Sequence, residues 1–135
     1  MARSTAREAA MQLIYAHMMG GGGDADALTA LTGWLPDGDD DAYLRDVLDG
    51  TLASLSDLDA RIDAFSRDWS VLRMARVDLA ILRLAIYEML HRPDVPPAVA
   101  INEAVELSHR FSTEAAGPFI NGILGNLHRA DIGAL

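Results

Sequence analysis

Val77-Asp78-Leu79-Ala80-Ile81-Leu82-Arg83-Leu84-Ala85-Ile86-Tyr87-Glu88-Met89 decides the fold. Read at helical spacing, its apolar side chains cover almost every side, and a helix apolar all round belongs at the centre of a bundle. The reading extends this central helix back to about Val71 and forward to Leu90. Arg92-Pro93-Asp94-Val95-Pro96-Pro97 then ends it, because a residue before proline avoids the helical region. Arg83 interrupts the run, and a lone buried cation costs several kcal/mol. It therefore needs a carboxylate. Glu103 is the first candidate and Glu88 the second, as a structural ion pair that fixes two helices and touches no ligand.

The flanking segments read as helices around this rod. Thr5-Ala6-Arg7-Glu8 has the form of a capping box opening the first helix, which Gly20 to Gly23 ends. Asp24 or Asp26 opens a short second helix reaching Trp34, and Leu35-Pro36-Asp37-Gly38 is a turn. Asp39, Asp40 and Asp41 favour the positive end of a third helix, striped by Tyr43, Leu44, Val47, Leu48, Leu52 and Leu55. Ser56 caps a fourth, with Asp59 at its third position, and Trp69-Ser70 breaks the chain again. Beyond the prolines, one helix runs from about Ala98 to Arg110. Another runs from Ala116 or Pro118 to about His128, with Pro118 confined to the first turn. An all-α, single-domain bundle of about seven helices over residues 1–135 follows.

Composition narrows function. The chain has 135 residues, no cysteine and a net charge of −9. No disulfide framework or thiolate metal site is available. No apolar run approaches the ~20 residues that span a bilayer, and no signal peptide opens the chain, so a cytoplasmic protein without membrane contact is expected. Every cation is arginine. Residues 20–70 hold 12 acids against 3 arginines, so the surplus acid sits in the middle and both ends are near neutral.

Catalytic signatures are missing. Glu106-Leu107-Ser108-His109 has the spacing of a di-iron ligand pair, but that site needs the motif twice. It reads as a surface Glu and His. No Gly-x-Ser-x-Gly elbow occurs. The aspartates at 39–41 lack the alternation of a calcium loop. Neither an enzyme, a metal nor a cofactor is expected. Asn102-Glu103 and Asn121-Gly122, by contrast, interrupt apolar helical runs with poor helix formers, which a helix needing only a core would not favour.

Those insertions, in Val99-Ala100-Ile101-Asn102-Glu103-Ala104-Val105-Glu106-Leu107 and Phe119-Ile120-Asn121-Gly122-Ile123-Leu124, carry a resemblance. With Phe111-Ser112-Thr113-Glu114, the central run, Asp94-Val95-Pro96, Ala6-Arg7-Glu8 and Gln12-Leu13-Ile14-Tyr15, they keep the order and spacing of the NusB family of bacterial transcription antitermination factors. The length fits one free-standing member. The resemblance implies the same helical fold. It also implies binding of boxA RNA in ribosomal RNA leader transcripts, as a heterodimer with the ribosomal protein NusE that loads onto the RNA polymerase elongation complex.

Carried over residue by residue, the resemblance assigns RNA contact to Arg3, Arg7, Gln12, Tyr15, Phe119 and Asn121, although on the residues alone Phe119 reads as core. It assigns partner contact to Asp78, on an acidic edge of the central helix, with Arg76 beside it. Many relatives place several consecutive Arg or Lys before the first helix, whereas this chain has Ala2-Arg3-Ser4-Thr5-Ala6-Arg7. Weaker autonomous RNA binding is expected, and removing Arg3 and Arg7 together should abolish it without disturbing the fold. The alternatives are a protein-only adaptor that has lost RNA affinity, and a NusB-like module of a ribosomal RNA methyltransferase, against which the absence of a Gly-rich cofactor motif argues.

Overall fold

The central rod is α4 (Arg76–His91), in which every residue from Asp78 to Met89 is buried. Its neighbours in the computed structural model, which describes residues 2–21, 38–66 and 69–132, account for that burial. They are α1 (Ala2–Met18), α2 (Gly38–Ala53), α3 (Leu55–Phe65), α5 (Pro97–Phe111) and α6 (Ala116–Leu127). All five pack on α4. A 3-10 turn, Val71–Arg73, precedes α4, and a π turn, His128–Ile132, follows α6. No described segment is a strand, and none of the described helices is long and apolar enough to cross a membrane. The short helix expected between Asp24 and Trp34 lies outside the described residues.

Local chemistry sets the ends. Gly20 takes φ +86°, and the Gly21 amide donates back to the Ala16 carbonyl at 2.9 Å, a left-handed stop that glycine adopts without steric cost. Asp39, Asp40 and Asp41 occupy the first turn of α2. Pro97 is the first residue of α5. Pro118 sits in the first turn of α6, where no helical N–H partner is lost.

Several expectations need correction. The first helix starts at Ala2, so Thr5 lies inside it and Glu8 spends its carboxylate on Arg110 rather than on a cap. The helix expected to open at Ser56 opens at Leu55 behind Ser54, and Leu55 leaves the stripe of the preceding helix. The central helix does not begin at Val71. There the Val71 amide donates to Asp63 Oδ1, and Arg76 donates to the carbonyls of Val71, Leu72 and Met74, which satisfies a 3-10 turn instead of an α turn.

Arg83 does not meet Glu103 or Glu88. It forks onto Asp59 of α3, with Nε to Oδ1 at 2.8 Å and Nη2 to Oδ2 at 2.7 Å. Arg83 leaves α4 on the side packed by α3, whereas Glu88 and Glu103 face α1 and meet Arg7. One close approach had no expectation attached. A Cβ on Gly50 of α2 would stand 2.2 Å from the Tyr87 ring, so glycine lets that ring cross α2 and donate its hydroxyl to Asp46 at 2.8 Å.

Candidate nucleic-acid interface

Arg3 and Arg7, four residues apart, do share one face of α1, but that face points inward. Both guanidinium groups lie over the buried Tyr43 ring, at 4.3 and 5.5 Å from its centroid. Arg7 is 4% exposed and forks onto Glu88, itself 1% exposed, with Nε to Oε1 at 3.0 Å and Nη2 to Oε2 at 2.9 Å. Glu103 lies 3.5 Å from its Nη1. Burial alone would lower the Arg7 pKa, but bonding to Glu88 and the charges of Glu88, Tyr43 and Glu103 hold it above the ordinary value. Arg7 is therefore part of the core scaffold and cannot reach a phosphate without breaking this pair, so it leaves the RNA set. Arg3 remains half-buried at the rim, 3.3 Å from Asp40 and 3.9 Å from Asp94.

The neighbouring edge of α1 carries Ser4, Glu8 and Gln12 at successive i, i+4 positions. This edge meets α5: Ser4 Oγ donates to Glu103 at 3.4 Å, and Arg110 pairs with Glu8 at 2.6 Å. Gln12 is exposed and Tyr15 half-buried. Beyond this seam α5 presents Asn102, Glu106 and His109 to solvent. They form one wall of an open groove of about 640 Å³, whose other wall is Gly117, Pro118 and Asn121 of α6. The Asn102 and Asn121 side chains make no hydrogen bond among the described residues. Glu106 and His109 are a surface pair, with Oε1 and Nδ1 3.8 Å apart. A Cβ at Gly117 would stand 3.1 Å from His109 Nε2, so the imidazole lies against bare backbone.

Phe119 does not share this face. Half-buried on the other side of α6, it lines a second pocket of about 360 Å³ with Trp69, Arg73, Met74, Asp78 and Thr113. Trp69 is 48% exposed, and the Arg73 guanidinium lies 5.1 Å from its ring centroid. Asp78 is not an exposed acid on a helix edge. It is 9% exposed and accepts the Ser112 hydroxyl at 2.6 Å, tying the start of α4 to the end of α5. Arg76 is likewise committed, to the carbonyls of the 3-10 turn.

The assigned residues thus divide. Gln12, Tyr15 and Asn121 lie along the α1–α5–α6 side, Phe119 and Asp78 line the second pocket, and Arg7 belongs to the core. Asn102, Glu106 and His109, which line the groove, and Trp69 and Arg73, which line the second pocket, were not among the expected site residues. The poor helix propensity of Asn102 and the Glu-x-x-His spacing of Glu106 and His109 were the signals in the sequence that pointed to any of them.

Comparison with known proteins agrees on this scaffold. The model of the NusB family matches residues 4–129. The transcription antitermination protein NusB of Acetivibrio thermocellus is 44% identical over 128 residues, covering 94% of this chain and 88% of the relative. That of Sorangium cellulosum is 42% identical, with 96% of each covered. Among solved structures, T. maritima NusB superposes with a TM-score of 0.86 at 31% identity, over 96% of this chain and 92% of the other. A complex of antitermination factors NusB and NusE with dsRNA shares the fold, with a TM-score of 0.84 at 22% identity over 96% and 97% of the two chains. This chain belongs to the NusB family.

Proposed function

We propose that this chain is a cytoplasmic transcription antitermination factor. In this reading it binds boxA RNA of ribosomal RNA leader transcripts together with NusE and acts on the RNA polymerase elongation complex by recognition rather than catalysis. The observation that carries the reading is the polar α1–α5–α6 side, where Gln12, Asn102 and Asn121 stand exposed on helices whose cores do not require them. Unpaired bases are read by such donor–acceptor groups, while arginines set the register on phosphates. A solved complex of NusB and NusE with dsRNA has the same fold and supports this choice of partners.

NusE would dock on the pocket of Trp69, Met74 and Phe119, with Asp78 in its wall. The overall charge of −9 favours a basic ribosomal protein there more than it favours RNA. Among the described residues, Arg3 and Arg110 near this side already share their charge with Asp40 and Glu8, which lowers what each offers a phosphate. Affinity of the chain alone should be weak, with a shallow salt dependence.

Titration of boxA RNA with and without NusE tests the reading. The expected result is at least about tenfold tightening by the partner, equivalent to about 1.4 kcal/mol. Equal affinity in both titrations would refute the cooperative mechanism. The burial of Arg7 gives weight to a second reading, a protein-only adaptor, and that reading would hold if NusE bound and RNA did not.

A further inference from the structure

Gly122 lies inside α6, is exposed and has no positive φ, and a Cβ placed on it meets nothing within 4 Å. Neither backbone conformation nor packing asks for glycine there, although glycine weakens a helix relative to alanine. Beside it, Asn121 is exposed, with an amide that makes no hydrogen bond among the described residues. Asn102 faces it across the groove in the same condition. The chain therefore places two asparagines on the walls of this groove, with Gly122 next to one of them, that its own fold does not use.

We propose that the α5–α6 groove is a subsite for one unpaired nucleobase bearing an exocyclic amine. The proposal rests on the RNA-binding reading above. Each asparagine amide supplies a donor and an acceptor, while the Glu106 carboxylate accepts only. The wall therefore has surplus acceptors, which an exocyclic amino group with its two N–H donors satisfies better than uracil, whose edge offers one N–H between two carbonyls. Glu106 also repels phosphate, so a base rather than the backbone enters. The His109 imidazole, seated on Gly117, offers a stacking surface, as aromatic rings do for splayed bases. Bare backbone at Gly122 permits the close approach of the adjoining nucleotide. A protein occupant is less suited, because interface centres are apolar and depleted of charge.

The test is fluorescence-anisotropy titration of a labelled boxA RNA oligonucleotide in the presence of NusE. The chain is compared with Asn102→Ala, Asn121→Ala and Glu106→Gln, all at exposed positions, with melting temperature as the folding control. Each variant should bind on the order of tenfold more weakly, the usual worth of one base-edge contact. A second set of RNAs has the exocyclic amine deleted from one base at a time. One of these should lose a similar factor with the unmodified chain and lose no more with the variants. Variants that bind the intact RNA normally, or losses that simply add for every amine deletion, would overturn the subsite alone. Variants that match the unmodified chain in titrations without NusE, and weaken only when NusE is added, would overturn it in favour of a protein contact. Failure of the unmodified chain to bind the RNA with NusE present would overturn both the subsite and the reading beneath it.

Discussion

Replacing Arg7 with methionine should destabilise the fold far more than its place near the chain start suggests. The change keeps most of the aliphatic stem but leaves Glu88, 1% exposed, as a buried carboxylate without its two short bonds from the guanidinium. Breaking a buried pair from one side costs about 3–5 kcal/mol. Arg83→Met offers an internal contrast. Its partner Asp59 is 26% exposed and can regain water, so that loss should be about 1–2 kcal/mol. Urea denaturation followed by circular dichroism reads both. With a slope of about 2 kcal/mol/M, the Arg7 variant should lose roughly 2 M in midpoint. The double variant Arg7→Met/Glu88→Met should recover much of it, since no charge is left stranded. A midpoint within about 0.3 M of the parent would refute the claim that this pair anchors α1 to the core, and would return Arg7 to the RNA-contact set.

Gly50→Ala drives a methyl into the Tyr87 ring and should cost about 1–3 kcal/mol by overpacking; calorimetry showing an unchanged melting temperature would contradict the α2–α4 contact. Asp78→Arg should lower the melting temperature as well as weaken NusE binding, because it places a cation where a nearly buried carboxylate accepts Ser112; a melting temperature that does not move would mean Asp78 is free after all. Burial and then bonding to Asp46 push the Tyr87 hydroxyl up to about 12, against about 10 for a free phenol. The folded state keeps this proton where the unfolded chain has lost it. Its contribution is therefore whole below about pH 10 and falls away between about 10 and 12. Tyr87→Phe should flatten that alkaline decline in denaturation midpoints, and an identical decline in the variant would rule out Tyr87 as its source.

Much of the fold was legible because helix formation is local. The apolar sweep from Val77 to Met89 required a central position, the prolines at 93, 96 and 97 required a break, and the glycines after Met19 required a stop. Each follows from backbone bonds spanning four residues and from the steric limits of proline and glycine. The oddity of Asn102 and of Asn121-Gly122 was equally visible, since a helix has no use for them.

The tertiary structure decided which groups meet. Arg83 reached Asp59 rather than Glu103, and Arg7 took Glu88, because the partner of a buried cation depends on which way each helix turns about its axis. Spacing along one helix does not carry that angle. For the same reason Phe119 and Asn121, two residues apart, face different pockets, and the Asp78 carboxylate is tied to Ser112 in the wall of one of them rather than standing free on a helix edge. Sequence determined which residues form helices and which of those helices must be covered. Packing, by fixing rotation and register between helices, determined which charges are spent inside and which polar groups remain outside for a ligand.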